Sequence, residues 1–112
     1  MRNAANYYGA TLLNETDLVG VTNGNKIMLE YYEIKKRSIE KTKLKTFYGI
    51  EIVKKEYGKD EIKCEKNSVN KISTNENKII NIIEKLKSNK VTPIGLNDVL
   101  LDLLKQPQFQ GE

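Results

Sequence analysis

The chain has 112 residues, 38% hydrophobic and 30% charged, which suits one small domain with one modest core. It carries nineteen basic and fifteen acidic residues, a net charge of +4, with no His and one Cys. The missing histidine removes the usual serine and cysteine triads and the common zinc sites, the lone Cys64 excludes an intrachain disulfide, and no apolar run approaches the roughly 20 residues that cross a bilayer.

Residues 1–25 are rich in Asn, Thr and Gly with weak periodicity, and are read as a loosely ordered N-terminal segment. The opening MRNAANYYGATLL has no continuous apolar core and makes a poor signal peptide. With that start, a lone thiol and many lysines, a reducing cytoplasm is expected, and the sequon Asn14-Glu15-Thr16 is read as a chance match. A hairpin strand at 18–22 is a further expectation, because Leu18–Thr22 and Ile27–Ile34 flank Asn23-Gly24, a dipeptide that tolerates positive φ.

Residues 26–105 are expected to form a single α+β domain. Lys26–Lys36 reads as a strand, with Ile27, Leu29 and Tyr31 alternating with Met28, Glu30 and Tyr32, so both faces carry apolar bulk. A basic linker, Lys35–Lys43, follows. In Leu44–Lys55, Leu44, Thr46, Tyr48, Ile50 and Ile52 fall on one face of a strand, and Gly49 within it predicts a bulge or a close backbone approach. After a turn at Tyr57-Gly58-Lys59-Asp60, Ile62 and Cys64 mark a short strand pairing back on Leu44–Lys55.

The polar link Lys66–Lys71 leads to a first helix. Ser73 and Glu76 have capping-box spacing, Ile79, Ile80, Ile83 and Leu86 follow the helical period, and Asn89 is the expected left-handed terminator. In the second helix Thr92 is the expected N-cap with Pro93 at the first helical position, and Val91 and Leu96 are spaced as a hydrophobic staple. Leu96, Val99, Leu100, Leu103 and Leu104 form the apolar stripe, and Asp98 and Asp102 fall opposite it. Residues 106–112 read as a C-terminal tail. The fold expected is an antiparallel sheet of three or four strands followed by two amphipathic helices packed on one face.

Little in this pattern carries chemistry. Asp98 and Asp102 are read as a solvated face; paired carboxylates do acid/base work only where burial or a neighbour splits their pKa values. Cys64 shares parity with Ile62 and is read as a buried structural thiol without a base to activate it. The glycines form neither a dinucleotide fingerprint nor a phosphate-binding loop. No catalytic residue, cofactor or metal site is therefore assigned.

Charge is uneven. Lys26–Lys90 carries seventeen basic and ten acidic residues, while Val91–Glu112 sets Lys105 against Asp98, Asp102 and Glu112. Lys35, Lys36, Arg37, Lys41 and Lys43, offset by Glu33 and Glu40, read first as a solvated loop and second as a site for an anionic partner. With Asp98 and Asp102 they make up the candidate interaction surface. Tyr31, Tyr32, Phe47 and Tyr48 read first as sheet packing, then as a protein contact, then as a stacking surface for single-stranded nucleic acid.

The stretches "EYYEIKK", "FYGIEIVKK" and "VTPIGLNDVLLDLL" give the chain a resemblance. Over Leu29–Leu104 it resembles an uncharacterised family of short proteins from clostridia and related Firmicutes, described only as a domain of unknown function. Tyr48-Gly49-Ile50-Glu51-Ile52, and Thr92-Pro93 followed by Leu96, Asp98-Val99 and Asp102, carry the match. A position commonly filled by His in that pattern, just before the leucine, is Gly95 here. The resemblance implies a Firmicute cytosolic protein, no known activity and no catalytic residues. The expectation is a small non-enzymatic cytosolic interaction or regulatory module, binding another protein or itself and no membrane. The alternative is a nucleic-acid-binding regulator using the basic 35–45 loop and the strand tyrosines.

Overall fold

The computed structural model describes residues 3–13 and 25–110. Four strands, β1 (Asn3–Leu13), β2 (Lys26–Glu40), β3 (Lys43–Tyr57) and β4 (Ile62–Ser73), form one antiparallel meander in chain order. Two helices follow, α1 (Glu76–Ser88) and α2 (Leu96–Leu104), then a 3-10 turn at Pro107–Phe109. This is the expected α+β arrangement of a sheet and two helices. The expected hairpin strand at 18–22 and the Asn14 sequon lie outside the described residues.

The core follows from alternation on the central strands. Ile27, Leu29 and Tyr31 of β2 lie beside Ile50 and Ile52 of β3 on one face, where Ile79, Ile82, Ile83 and Leu86 of α1 and Leu96, Leu100 and Leu103 of α2 close over them. Ile82, outside the expected stripe, is fully buried, while Ile80 is only half-buried. Tyr31 brings a polar atom into this core. Its hydroxyl donates to the Val91 carbonyl at 2.9 Å, and burial raises the phenol's pKa.

Helix ends differ in detail from the sequence expectation. Asn75, not Ser73, caps α1: Asn75 Oδ1 accepts from the Lys78 N–H, while Ser73 Oγ accepts from the Asn75 N–H one step earlier. At the other end Asn89 keeps φ −94° and Lys90 takes the left-handed value, φ 52°. The Val91 N–H reaches back to Leu86 O at 2.9 Å and the Lys90 N–H to Lys87 O at 3.1 Å. That is a Schellman end, with Val91 packing where its hydrophobic contact belongs. Thr92 starts a tight turn rather than α2 itself: its carbonyl accepts from the Gly95 N–H, and the regular helix begins at Leu96.

Four other segments depart from expectation. Asn3–Leu13, read as loosely ordered, is an edge strand paired from Asn3↔Lys36 to Leu13↔Ile27. A bulge between Tyr7 and Gly9 interrupts it and hides its alternation from a sequence reading. Lys35–Lys43 is no linker. β2 continues to Glu40, turns through Lys41 and Thr42 at φ 49° and 67°, and returns along β3 with pairing unbroken from Lys26↔Tyr57 to Glu40↔Lys43. Positive φ at both central turn residues matches the twist of a tight hairpin, but Lys-Thr lacks the Asn-Gly signature that would reveal it. Lys66–Lys71, read as a polar link, belongs to β4. In the expected tail Phe109 is buried in the core.

Gly49 behaves as expected. The ladder between β3 and β4 shifts register there, and a Cβ would collide with the Val69 carbonyl oxygen and lie 2.6 Å from that of Asn70. Only glycine lets the β4 backbone approach so closely.

Tyr31→Phe is expected to lower stability by about 1–3 kcal/mol, because it leaves the buried Val91 carbonyl without a donor. Tyr57→Phe, at the far end of β3, should stay within about 0.5 kcal/mol of the parent. Equal urea midpoints for the two variants would remove the Tyr31 hydroxyl from any role in the core.

Candidate interaction surfaces

Both helices cover the same face of the sheet, and no described element lies on the other. The strand register places Tyr7 and Leu12 of β1, Met28, Glu30, Tyr32 and Lys36 of β2, Val53 and Lys55 of β3, and Lys66 of β4 on this open face. Tyr7 is 60% exposed and meets Tyr32 edge-on, with ring centroids 5.7 Å apart at 74°. Glu30 holds the middle of the face. Its Oε1 accepts from the Tyr32 hydroxyl at 3.0 Å and lies 3.1 Å from Lys55 Nζ. Burial, then the hydrogen bond to Glu30, raises the Tyr32 phenol; the hydrogen bond to Glu30 raises Lys55.

At one end of the sheet the β2–β3 hairpin runs past its neighbours. β1 pairs no further along β2 than Lys36, and β4 no further along β3 than Tyr48. Among the described residues Arg37–Thr46 is therefore a two-stranded arm with no strand paired on either side. Arg37, Lys41 and Lys43 are exposed on it and Lys36 lies at its base. Lys35 is engaged with the body, 3.4 Å from Glu76 Oε2 and 6.0 Å from the Tyr48 ring centroid. Asp98 and Asp102 are exposed on α2, a different element, so the structure divides the sequence-predicted basic and acidic residues between two places.

Cys64 corrects a sequence reading. It does share the open face with Ile62, but both side chains are exposed, because nothing described covers that face of β4. Parity was right; which face the helices cover is a tertiary fact that alternation alone does not contain.

Sequence reasoning missed two features. Glu33, taken as a surface acid beside lysines, has the parity of Ile27, Leu29 and Tyr31 and is only 6% exposed. One of its oxygens, Oε2, has no hydrogen-bond partner. Burial, then a hydrogen bond to Glu76, raises its pKa, against smaller opposing effects of Asn6 and Lys35. Its strand parity was the available signal. The second is an apolar groove of about 470 Å³ where Val69 and Ile72 of β4 face Leu100, Leu101 and Leu104 of α2. Leu101, an exposed leucine off the expected stripe, was its visible trace. Among the described residues no three His, Cys, Asp or Glu side chains come together as a metal-holding group, and no helix is long and apolar enough to cross a membrane.

A family model described as "Family of unknown function (DUF6514)" matches residues 11–106. The chain belongs to that family. No curated protein and no solved structure matches it. In this DUF6514 member the open sheet face, the arm and the groove all draw on the matched span. Gly95 lies there too, and a Cβ on it would meet its nearest atoms at 3.8 Å, an ordinary contact, so the backbone leaves room for a side chain.

Two measurements check these assignments. Cys64 in the native protein should react with a thiol reagent about as fast as in denaturant; strong native protection would place it inside an interface. Glu33→Gln should be more stable than the parent at about pH 8, with the difference vanishing near pH 4. A raised folded pKa means the folded state holds its proton longer, so the parent loses stability as pH rises from the ordinary carboxylate value through the raised one. Parallel stability profiles for the two proteins would contradict a proton held on Glu33.

Proposed function

We propose that this chain is a small non-enzymatic interaction module of the cytosol that docks a protein partner across the open face of its sheet. The uncovered ridge of Tyr7, Tyr32, Met28, Leu12 and Val53 carries this reading. An antiparallel sheet with one face in water normally alternates polar residues outward. Here apolar and aromatic side chains flank Glu30 on that face. Lys36 and Lys66 lie towards its edges, Lys55 is paired with Glu30, and Glu51 stands opposite Tyr32. The complementary partner presents an apolar surface with mixed charge at its edges. The resemblance to clostridial proteins makes a Firmicute cytosol the setting in this reading.

Photo-crosslinking in the native cell tests it. A benzophenone side chain at position 7 should give protein adducts of one defined mass, and the same group at position 98 on α2 should give none. Adducts only from position 98, or none from position 7, would move the interaction off the sheet.

A further inference from the structure

We propose that the hairpin arm is a nucleic-acid-binding element that enters the major groove of double-stranded DNA. This inference concerns the arm beyond the sheet ridge, shares only Lys36 with it, and does not rest on that reading. Lys36, Arg37, Lys41, Lys43 and Lys45 gather here against the single carboxylate of Glu40. Paired strands fix the backbone that carries these cations, so less ordering entropy is lost on binding than for lysines on an unpaired loop. A two-stranded ribbon fits the roughly 12 Å major groove of B-form DNA. The stretch from Arg37 to Glu40 reaches about 10 Å at the usual strand rise, enough to enter it.

Two further observations point the same way. Ile39 and Leu44 are cross-strand partners on the arm and are 69% and 60% exposed. In a groove such a pair has apolar targets, the thymine methyl groups. At the tip, Lys41 and Thr42 adopt positive φ, where Asn and Gly are less strained. The sequence thus keeps a cation at the leading edge of the arm. Duplex RNA fits less well, because its major groove is too deep and narrow for side chains to read. A bilayer also fits less well, because one apolar pair with cations on both faces of the ribbon offers no continuous apolar side to insert.

Fluorescence anisotropy with a labelled 20-base-pair DNA duplex, across about 50–200 mM salt, tests the proposal. Each neutralised phosphate contributes about 0.9 to the log–log slope, so three to five contacts give a slope between about −2.7 and −4.5. The triple variant Arg37→Ala, Lys41→Ala, Lys43→Ala should bind weakly, with a slope flatter by about 2–3. The double variant Ile39→Ser, Leu44→Ser should bind several-fold more weakly with its slope unchanged. All three substituted cations are exposed, so unaltered circular dichroism melts are expected and serve as the folding control. No saturable binding at 50 mM salt, undiminished binding by the triple variant, or tighter association with duplex RNA or phosphatidylserine vesicles than with DNA would each overturn the proposal.

Discussion

A buried hydrogen bond joins the centre of the sheet to the link between the two helices. Tyr31 lies at the centre of β2 with no exposed surface, and its hydroxyl must find an acceptor inside the protein. It finds the carbonyl of Val91, the residue just beyond the Schellman end of α1. Two strands away, Asn67 of β4 donates to the carbonyl of Pro93 at 3.1 Å. The link between the helices is thereby tied at two points to one face of the sheet. The helix-terminating turn, the start of α2 and the sheet's central tyrosine form one unit. Side-chain packing seats the helices on the strands, and two hydrogen bonds to backbone carbonyls of one short link add to it.

Tying both helices to one face determines what is left over. The other face keeps its aromatic and aliphatic ridge, and Glu30 satisfies the polar atoms in its middle. The helices cover only the part of the sheet where all four strands overlap, so the longer β2–β3 hairpin projects past them. The extent of 52 × 32 × 18 Å reflects that projection. Both proposed binding surfaces thus arise from one cause, a sheet larger than its two short helices can cover.

The sequence revealed those features whose signal is local. Alternation in Lys26–Lys36 and Leu44–Lys55, the leucine stripe of α2, the wet position of Asp98 and Asp102, and the close approach at Gly49 are all present in the structure. It concealed those decided by pairing partners. The basic run Lys35–Lys43 has the composition of a loop, yet each residue from Lys35 to Glu40 finds a partner between Lys43 and Tyr48. β1 looks irregular because its bulge breaks the period. Cys64 and Glu33 show the same limit from opposite sides. Alternation gives each a face, but whether helices cover that face depends on the link pinned by Tyr31, and so Cys64 is exposed and Glu33 buried.

Three non-glycine residues among those described adopt positive φ, and their contexts differ. At Lys90 packing gives the reason: the left-handed turn brings the Val91 N–H to Leu86 O and seats Val91 in the core, which offsets the strain. Lys41 and Thr42 have no comparable return. Their turn lies at the end of a ribbon that no other described strand flanks, and exposed side chains surround it. Asn-Gly would form the same turn with less strain. A cation at the tip of the basic arm is what this residue choice supplies, and that agrees with the proposed contact to nucleic acid.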